Sequence, residues 1–250
     1  MKPSPTNPSE LQLTGLAPLI AFGAHPDDVE FACGGVLVLE ARAGRKVHIV
    51  VCSKGESATR GTPAQRAAEA QAAAEILGAT LKFIELDGDA HLEPRVKHAL
   101  AIASILRKSK PGIVLAPSVV SDQHPDHAAL GALVRQAARL ARFGGIAELK
   151  DLPPHAIQQL LFYAISPGAE PVGTGRILVD VSAPEILDAW TRSMNAHASQ
   201  TSHLNYVELQ LTRARMLGLA AGIGHAIPLF PNDSIVVESL TAVSRGARAF

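Results

Sequence analysis

Short apolar runs alternate with Ala- and Leu-rich stretches of helical periodicity along the first two-thirds of the chain. The apolar runs are continuous, which is typical of strands buried on both faces. They predict strands at residues 16–23, 46–52, 81–86 and 113–116, with helices at 29–43, 63–77, 95–107 and 128–142. This alternation predicts an α/β fold: a Rossmann-like, doubly wound, mostly parallel sheet with helices on both faces.

The last third of the chain has a less regular pattern. Strands are predicted at 160–165, 176–181 and 235–240, and helices at 184–197 and 206–219. No linker-like segment divides the chain, so we expect residues 18–250 to form a single domain. The Pro-rich residues 1–17 are expected to form a short, mobile N-terminal arm.

The composition argues against several classes of function. The 250 residues carry 23 basic and 23 acidic side chains, so no net charge attracts nucleic acid or an anionic membrane. No run approaches the ~20 apolar residues that cross a bilayer, and two cysteines make no disulfide framework. The sequence contains no GxGxxG motif, so it gives no indication of a dinucleotide ligand. We therefore expect a cytoplasmic protein with a small-molecule partner, and neither a nucleic-acid nor a membrane partner.

One short motif occurs twice, each time between a predicted strand and a predicted helix. It reads AHPDD at residues 24–28 and QHPDH at residues 123–127. Ligands of open α/β sheets bind at the carboxyl ends of the strands, so both motifs can converge there. Pro26 suits the first position of a helix, which would place His25 and Asp28 on one helical face.

The residue types of the two motifs predict a metal site. Two His and one carboxylate form catalytic zinc sites, and they also form the facial triad of non-haem iron oxygenases. The spacing supplies His25 and Asp28, and it leaves open whether His124 or His127 is the third ligand. An isolated Asp pair would more often only complement a helix dipole, but the repeated motif favours the metal site.

Both motifs, with TRGTP at 59–63, LDGD at 86–89 and HASQ at 197–200, resemble the PIG-L, or LmbE-like, zinc-dependent N-acetylglucosaminyl deacetylases. The TRGTP stretch is characteristic of the bacillithiol-pathway members. The resemblance implies one Zn²⁺ per chain with three ligands, namely His25, Asp28 and His127. It implies three catalytic residues: Asp27 as general base, His124 at the oxyanion and leaving group, and Asp126 orienting His124. It also implies substrate contacts by Arg60, Asp87 and Asp89.

The resemblance implies removal of an acetyl group from a GlcNAc-containing small molecule. GlcNAc-malate is the leading substrate, and GlcNAc oligomers and antibiotic pseudosaccharides are others. A homo-oligomer, hexamer or trimer, is expected. The chain departs from bacillithiol-type members at two places. These members often carry Arg where Gln123 stands, and the segment 222–230 of this chain lacks an acidic residue. Within that segment, His225 is predicted to lie in a loop. The two alternatives are a non-haem iron oxygenase and a non-catalytic sugar-binding relative, and the presence of Asp27 argues against the second.

Overall fold

The computed structural model describes residues 15–203, 205–243 and 245–247, so most of the predicted N-terminal arm lies outside the described residues. The strands are β1 Leu19–Gly23, β2 Val47–Val51, β3 Thr80–Phe83, β4 Ile113–Pro117, β5 Gln159–Tyr163, β6 Ile177–Asp180 and β7 Ala226–Pro231. The helices are α1 Asp28–Arg42, α2 Pro63–Leu77, α3 Val96–Ser109, α4 Pro125–Arg142, α5 Pro184–Asn195, α6 Ala198–Thr201 and α7 Tyr206–Ala220. Short 3₁₀ turns occur between some of them.

The strands of the described residues form one seven-stranded sheet in the order β3-β2-β1-β4-β5-β7-β6. Strands β1 to β5 are parallel, whereas β7 runs antiparallel to both β5 and β6. One apolar cluster packs α1, α2, α5 and α7 on one face of the sheet, and a second packs α3 and α4 on the other. The predicted fold class, a mostly parallel α/β sheet, is confirmed.

Strand β1 lies at the centre of this arrangement. All five of its residues are buried, because β2 and β4 flank it in the sheet and helices cover both faces. The chain turns from β1 to β2 on one side and reaches β4 on the other, so the strand order reverses between β1 and β4. Such a switch point leaves a crevice outside the carboxyl ends of the strands. Both HPD motifs follow these two strands.

The predicted strand at 235–240 is wrong, because the late strand is β7 at Ala226–Pro231, and His225 precedes it in a loop, as expected. Its sequence AIPLFP contains two prolines, and each removes a ladder donor. At Pro228, β7 pairs only with β6, since its pairs with β5 are confined to residues 230 and 231. The strand is locally an edge there and tolerates a missing N–H. In the run 235–240, Val236 is 89% exposed.

Candidate active site

A cavity of about 460 Å³ lies at the carboxyl ends of β1 and β4. Both HPD motifs contribute to its lining, through His25, Asp27, Asp28, His124 and His127. The structure therefore brings together the motif residues that the sequence separates by a hundred positions. Asp126 is buried beneath them.

The two motifs open their helices differently. Helix α4 begins at Pro125, with His124 as its N-cap, as Pro at the first helical position predicts. Helix α1 begins only at Asp28, so the prediction that Pro26 opens it is wrong. Asp27 is the N-cap of α1 and has a left-handed backbone with φ of 107°. A non-glycine residue in that region carries backbone strain.

The reason for the late start of α1 is the Asp28 side chain. Its Oδ2 accepts hydrogen bonds from the backbone N–H groups of Ala24, at 2.8 Å, and of His25, at 3.0 Å. These bonds fold the chain back over the end of β1 and leave Pro26 in a turn outside the helix. Asp28 is buried by the same contacts.

The predicted metal ligands converge on one point of the cavity. The Nδ1 atom of His25 lies 3.3 Å from Nε2 of His127, and Oδ1 of Asp28 lies 3.1 Å from that same Nε2. Oδ2 of Asp28 lies 3.7 Å from Nδ1 of His25. Burial raises the pKa of Asp28, but His127 and His25 outweigh it and hold the pKa well below its usual range. An ionised carboxylate beside two imidazoles has the donor chemistry of a zinc site.

The other ring nitrogen of His25 contacts two further carboxylates. Its Nε2 lies 3.0 Å from Asp89 and 3.1 Å from Asp126. Backbone N–H groups already donate to these carboxylates, from Ser57 to Asp89 and from Ala90 and Leu92 to Asp126. A carboxylate behind a ligating His fixes its tautomer and orientation. Asp89 and Asp126 therefore hold the Nε2 side of His25, and the three residues also form a group that could itself hold a metal ion.

These carboxylates also determine the charge of His25. Burial lowers its pKa, but Asp28, Asp126 and Asp89 together raise it to about 12. A proton on His25 thus offsets part of the negative charge of these three carboxylates. A divalent cation at the Nδ1 side would supply the same compensation, which is a further sign that the donor set fits a metal ion.

Asp126 does not orient His124 as the resemblance implied. Its carboxylate contacts His25 and the 90–92 backbone, and it is the Asp126 backbone N–H that donates to Nδ1 of His124, at 3.3 Å. Burial, His25 and His127 lower the pKa of His124. His124 is therefore a neutral imidazole whose Nδ1 is an acceptor, which leaves its proton on Nε2.

Arg66 is the site residue that sequence analysis missed. Its guanidinium donates to the backbone oxygen of Pro26, at 2.8 Å, and to Oδ2 of Asp27, at 3.3 Å, and the residue is 4% exposed. A signal was present in the sequence, because Arg66 lies in phase with the buried face of α2, which continues through Ala70, Ala73 and Leu77. A charge in an apolar stripe indicates a buried partner.

Gly55 makes room for this guanidinium. The glycine has a φ of +72°, and a Cβ added there would overlap the Nη1 and Cζ atoms of Arg66. Position 55 thus requires glycine both for its backbone and for the space that it leaves. The β2–α2 connection is built around Arg66, and Arg66 in turn holds the turn at Asp27.

A buried His–Glu pair lies close to Asp27 on the protein side. His197 is fully buried, and its Nε2 lies 3.6 Å from Oε1 of Glu30. Neither His197 nitrogen has a hydrogen-bond partner among the described residues. Burial lowers the pKa of His197, but Glu30 and Asp27 contribute to a net increase. Both His197 and Arg66 act to lower the pKa of the Asp27 carboxylate.

Two of the predicted substrate contacts lie elsewhere. The Arg60 side chain is exposed and does not line the cavity, although its backbone oxygen accepts a bond from Gln200. Asp87 pairs with Arg95, at 3.2 Å, and with His98, at 3.3 Å, away from the cavity. Asp89 does line the cavity, in contact with His25. Of these three residues, Asp89 alone lines the cavity.

Known proteins are similar to this chain in both sequence and fold. The family model described as "PIG-L: GlcNAc-PI de-N-acetylase" matches residues 20–138, a span that contains both motifs. Diacetylchitobiose deacetylase of Thermococcus kodakarensis is 30% identical over 195 residues, which is 73% of this chain and 69% of that protein.

Solved structures show the same fold. The conserved protein TT1542 of Thermus thermophilus is 30% identical, with a TM-score of 0.79 over 92% of this chain and all of that one. GalB of Pseudomonas putida, a 4-carboxy-2-hydroxymuconate hydratase, is 22% identical, with a TM-score of 0.76 over 90% of this chain and all of that one. The fold therefore also carries a hydratase, so the reaction has to be argued from the site. No helix of the described residues has the length and apolar character to cross a membrane.

Proposed function

Because this chain belongs to the PIG-L, or LmbE-like, deacetylase family, we propose that it is a zinc-dependent hydrolase that removes the acetyl group from a GlcNAc-containing small molecule. One observation carries the proposal: two neighbouring aspartates have separate environments. Asp28 is buried and contacts His25 and His127, whereas Asp27 is only partly buried and contacts Arg66 at the same cavity. Amide hydrolysis requires both functions, a ligand set and a free base.

The residues that would hold the ion are His25, Asp28 and His127, whose two imidazoles and one carboxylate are a donor set that zinc accepts. When bound, Zn²⁺ supplies a Lewis acid that activates water and polarises the acetyl carbonyl. The 2-His-1-carboxylate set also suits iron. The family and the α/β fold favour the deacetylase over the oxygenase.

Asp27 has the properties of the general base. Burial and the neighbouring Asp28 raise its pKa to about 6, although His197 and Arg66 oppose this. A carboxylate with that pKa accepts a proton from water near neutral pH and returns it readily. The water oxygen bonds to the acetyl carbon, the C–N bond breaks, and Asp27 passes the proton to the nitrogen. The products are acetate and a free amine.

His124 is suited to the oxygen that becomes negative. Its Nδ1 accepts from the Asp126 backbone N–H, so its Nε2–H is a donor, and the ring lines the cavity. A neutral imidazole can stabilise an oxyanion by such a hydrogen bond. We therefore keep His124 as a catalytic residue, but as a neutral donor and without support from the Asp126 carboxylate.

Further details belong to the same proposal. GlcNAc-malate, an intermediate of the bacillithiol pathway, is one candidate substrate. We expect the protein to form a homo-oligomer, a trimer or a hexamer. We also expect it to be cytoplasmic. Both cysteines, Cys33 and Cys52, are free and buried, as in a reducing compartment. Light scattering of the purified protein measures the oligomeric state.

The direct test is amine release by the zinc-loaded enzyme from GlcNAc-malate and from N,N'-diacetylchitobiose, with acetate measured in parallel. Asp27→Asn is expected to keep its zinc and to lose roughly 10²–10⁴-fold in kcat, the usual contribution of a general base. If the variant keeps both zinc and wild-type turnover, Asp27 is not the base. Oxygen consumption with 2-oxoglutarate, without any amine release, would instead support the oxygenase.

A further inference from the structure

The cavity continues beyond the motif residues to a wall made by the start of α7 and the segment after β5. Tyr206 and Leu209 of α7 line it, with Ile165 opposite the motifs. Tyr206 is 43% exposed and Leu209 is 42% exposed. Apolar side chains left in solvent at the mouth of a cavity mark a surface that a ligand covers.

Tyr206 is held in position by the protein. Its ring packs edge-on against Phe31 of α1, with ring centroids 5.8 Å apart and an interplanar angle of 70°. Phe31 is itself buried and lines the same cavity. A fixed aromatic ring with one side open to solvent offers a face for stacking, and such contacts favour flat, apolar partners.

The polar groups on this side of the cavity are uncharged. Ser166, Gln200 and Gln210 line it, and Gln210 donates to the Ile165 backbone oxygen at 2.8 Å. Among the described residues that line the cavity, Arg66 is the single Lys or Arg, and Pro26 and Asp27 already engage it. A substrate carboxylate placed against these residues would therefore find no free cationic side chain among them to pair with.

From these contacts we infer that the group attached to the GlcNAc unit is uncharged and has a flat apolar face. This face lies against Tyr206 and Leu209. The inference rests on the proposed function. An aromatic ring and the C–H face of a second pyranose share this chemistry. A dicarboxylate such as malate does not. Tyr206 is thereby assigned as a specificity-determining residue that contacts the substrate away from the amide.

The test compares kcat/KM for four probes: free GlcNAc, phenyl β-GlcNAc, N,N'-diacetylchitobiose and GlcNAc-malate. Wild-type enzyme is expected to favour one or both neutral conjugates over GlcNAc-malate by about 10-fold or more, corresponding to ~1.4 kcal/mol. A preference for the phenyl conjugate identifies an aromatic partner, and a preference for chitobiose identifies a second sugar. A preference for GlcNAc-malate would overturn the inference while leaving the deacetylase intact.

Variants separate a substrate contact from a structural role. Tyr206→Ala is expected to lower the ratio of kcat/KM for the preferred neutral conjugate to that for free GlcNAc by about 5- to 10-fold, as the loss of one aromatic contact predicts. Tyr206→Phe should keep the ratio. Met216→Ala is the matched control, because Met216 is an exposed apolar residue of the same helix outside the cavity. If Tyr206→Ala lowers turnover of all probes equally, Tyr206 is structural and the inference fails. If wild-type enzyme releases amine from none of them, it is the proposed function that fails.

Discussion

The two HPD motifs share three letters and have opposite exposures. His25 of the first is buried, and its neighbour Asp27 has a left-handed backbone outside the helix. His124 of the second is exposed at an ordinary N-cap, and its neighbour Asp126 is buried in the first turn of α4. Although both motifs contain His-Pro-Asp, the more exposed of the two residues is the aspartate, Asp27, in the first motif and the histidine, His124, in the second.

The cause lies outside the shared letters. The fifth residue of the first motif is Asp28, which accepts from the N–H groups behind it, and Arg66 holds the turn that results. The second motif has His127 at that position, and its first histidine, His124, caps helix α4 instead. A motif specifies which groups are present, and the residues around it decide which of them face the substrate.

The largest effect should come from removing the two second-motif histidines in turn. His127→Ala removes a predicted metal ligand and should weaken zinc binding by more than about 100-fold, since loss of an outer-shell partner alone costs 10- to 100-fold. His124→Ala should keep zinc and lose about 10²–10³-fold in kcat, as for an oxyanion donor. Metal content by plasma mass spectrometry and kcat check both, and the reverse pattern would exchange the roles of the two residues.

A smaller effect should follow from releasing the turn at Asp27. Arg66→Lys removes the Nη2 atom that donates to both Pro26 and Asp27, so kcat should fall by about 10- to 100-fold with zinc retained. Gly55→Ala should act in the same direction without changing residue 66 itself, because its Cβ displaces the Arg66 guanidinium. Steady-state kinetics and metal analysis of both variants measure these effects.

Arg60→Gln is the matched control for these two variants, because Arg60 is an exposed arginine of the same segment. The resemblance gives it a sugar contact, whereas its place outside the cavity predicts that kcat/KM stays within about threefold, a change of less than ~1 kcal/mol. A large loss in Arg60→Gln with none in Arg66→Lys would show that the turn at Asp27 needs no support from Arg66.

The smallest effect is on stability and has opposite signs at the two motifs. The free energy of unfolding should be about 1 kcal/mol higher for the Asp27→Gly variant than for Asp27→Ala, because only Gly adopts a positive φ without strain. At position 126, inside α4, Gly should be less stable than Ala by about 0.5–1 kcal/mol. Urea unfolding of the four variants without metal measures both differences. Equal signs would mean that Asp27 does not have the left-handed conformation in solution.

The sequence predicts the parallel part of the fold well and the site only in outline. Continuous apolar strands and capped helices such as α2, with Thr62 and Pro63 at its start, are encoded locally. Strand β7 is not, because Pro228 argues against a strand and is tolerated only since β7 has no β5 partner at that residue. The residues of the two motifs are visible in the sequence, but their contacts are not. That Asp126 meets His25, and that Arg66 meets Asp27, depends on distances between segments that no local pattern encodes.

The Asp126 carboxylate has a consequence for the chain as a whole. It joins His25, 101 residues away in sequence, and the N–H of Ala90, 36 residues away, at a single point. Each of these bonds closes a long loop, so its formation is opposed by the conformational entropy that the intervening chain loses. The second motif thus acts as a non-covalent clasp on the first, and neither can change in evolution without altering the constraint on the other.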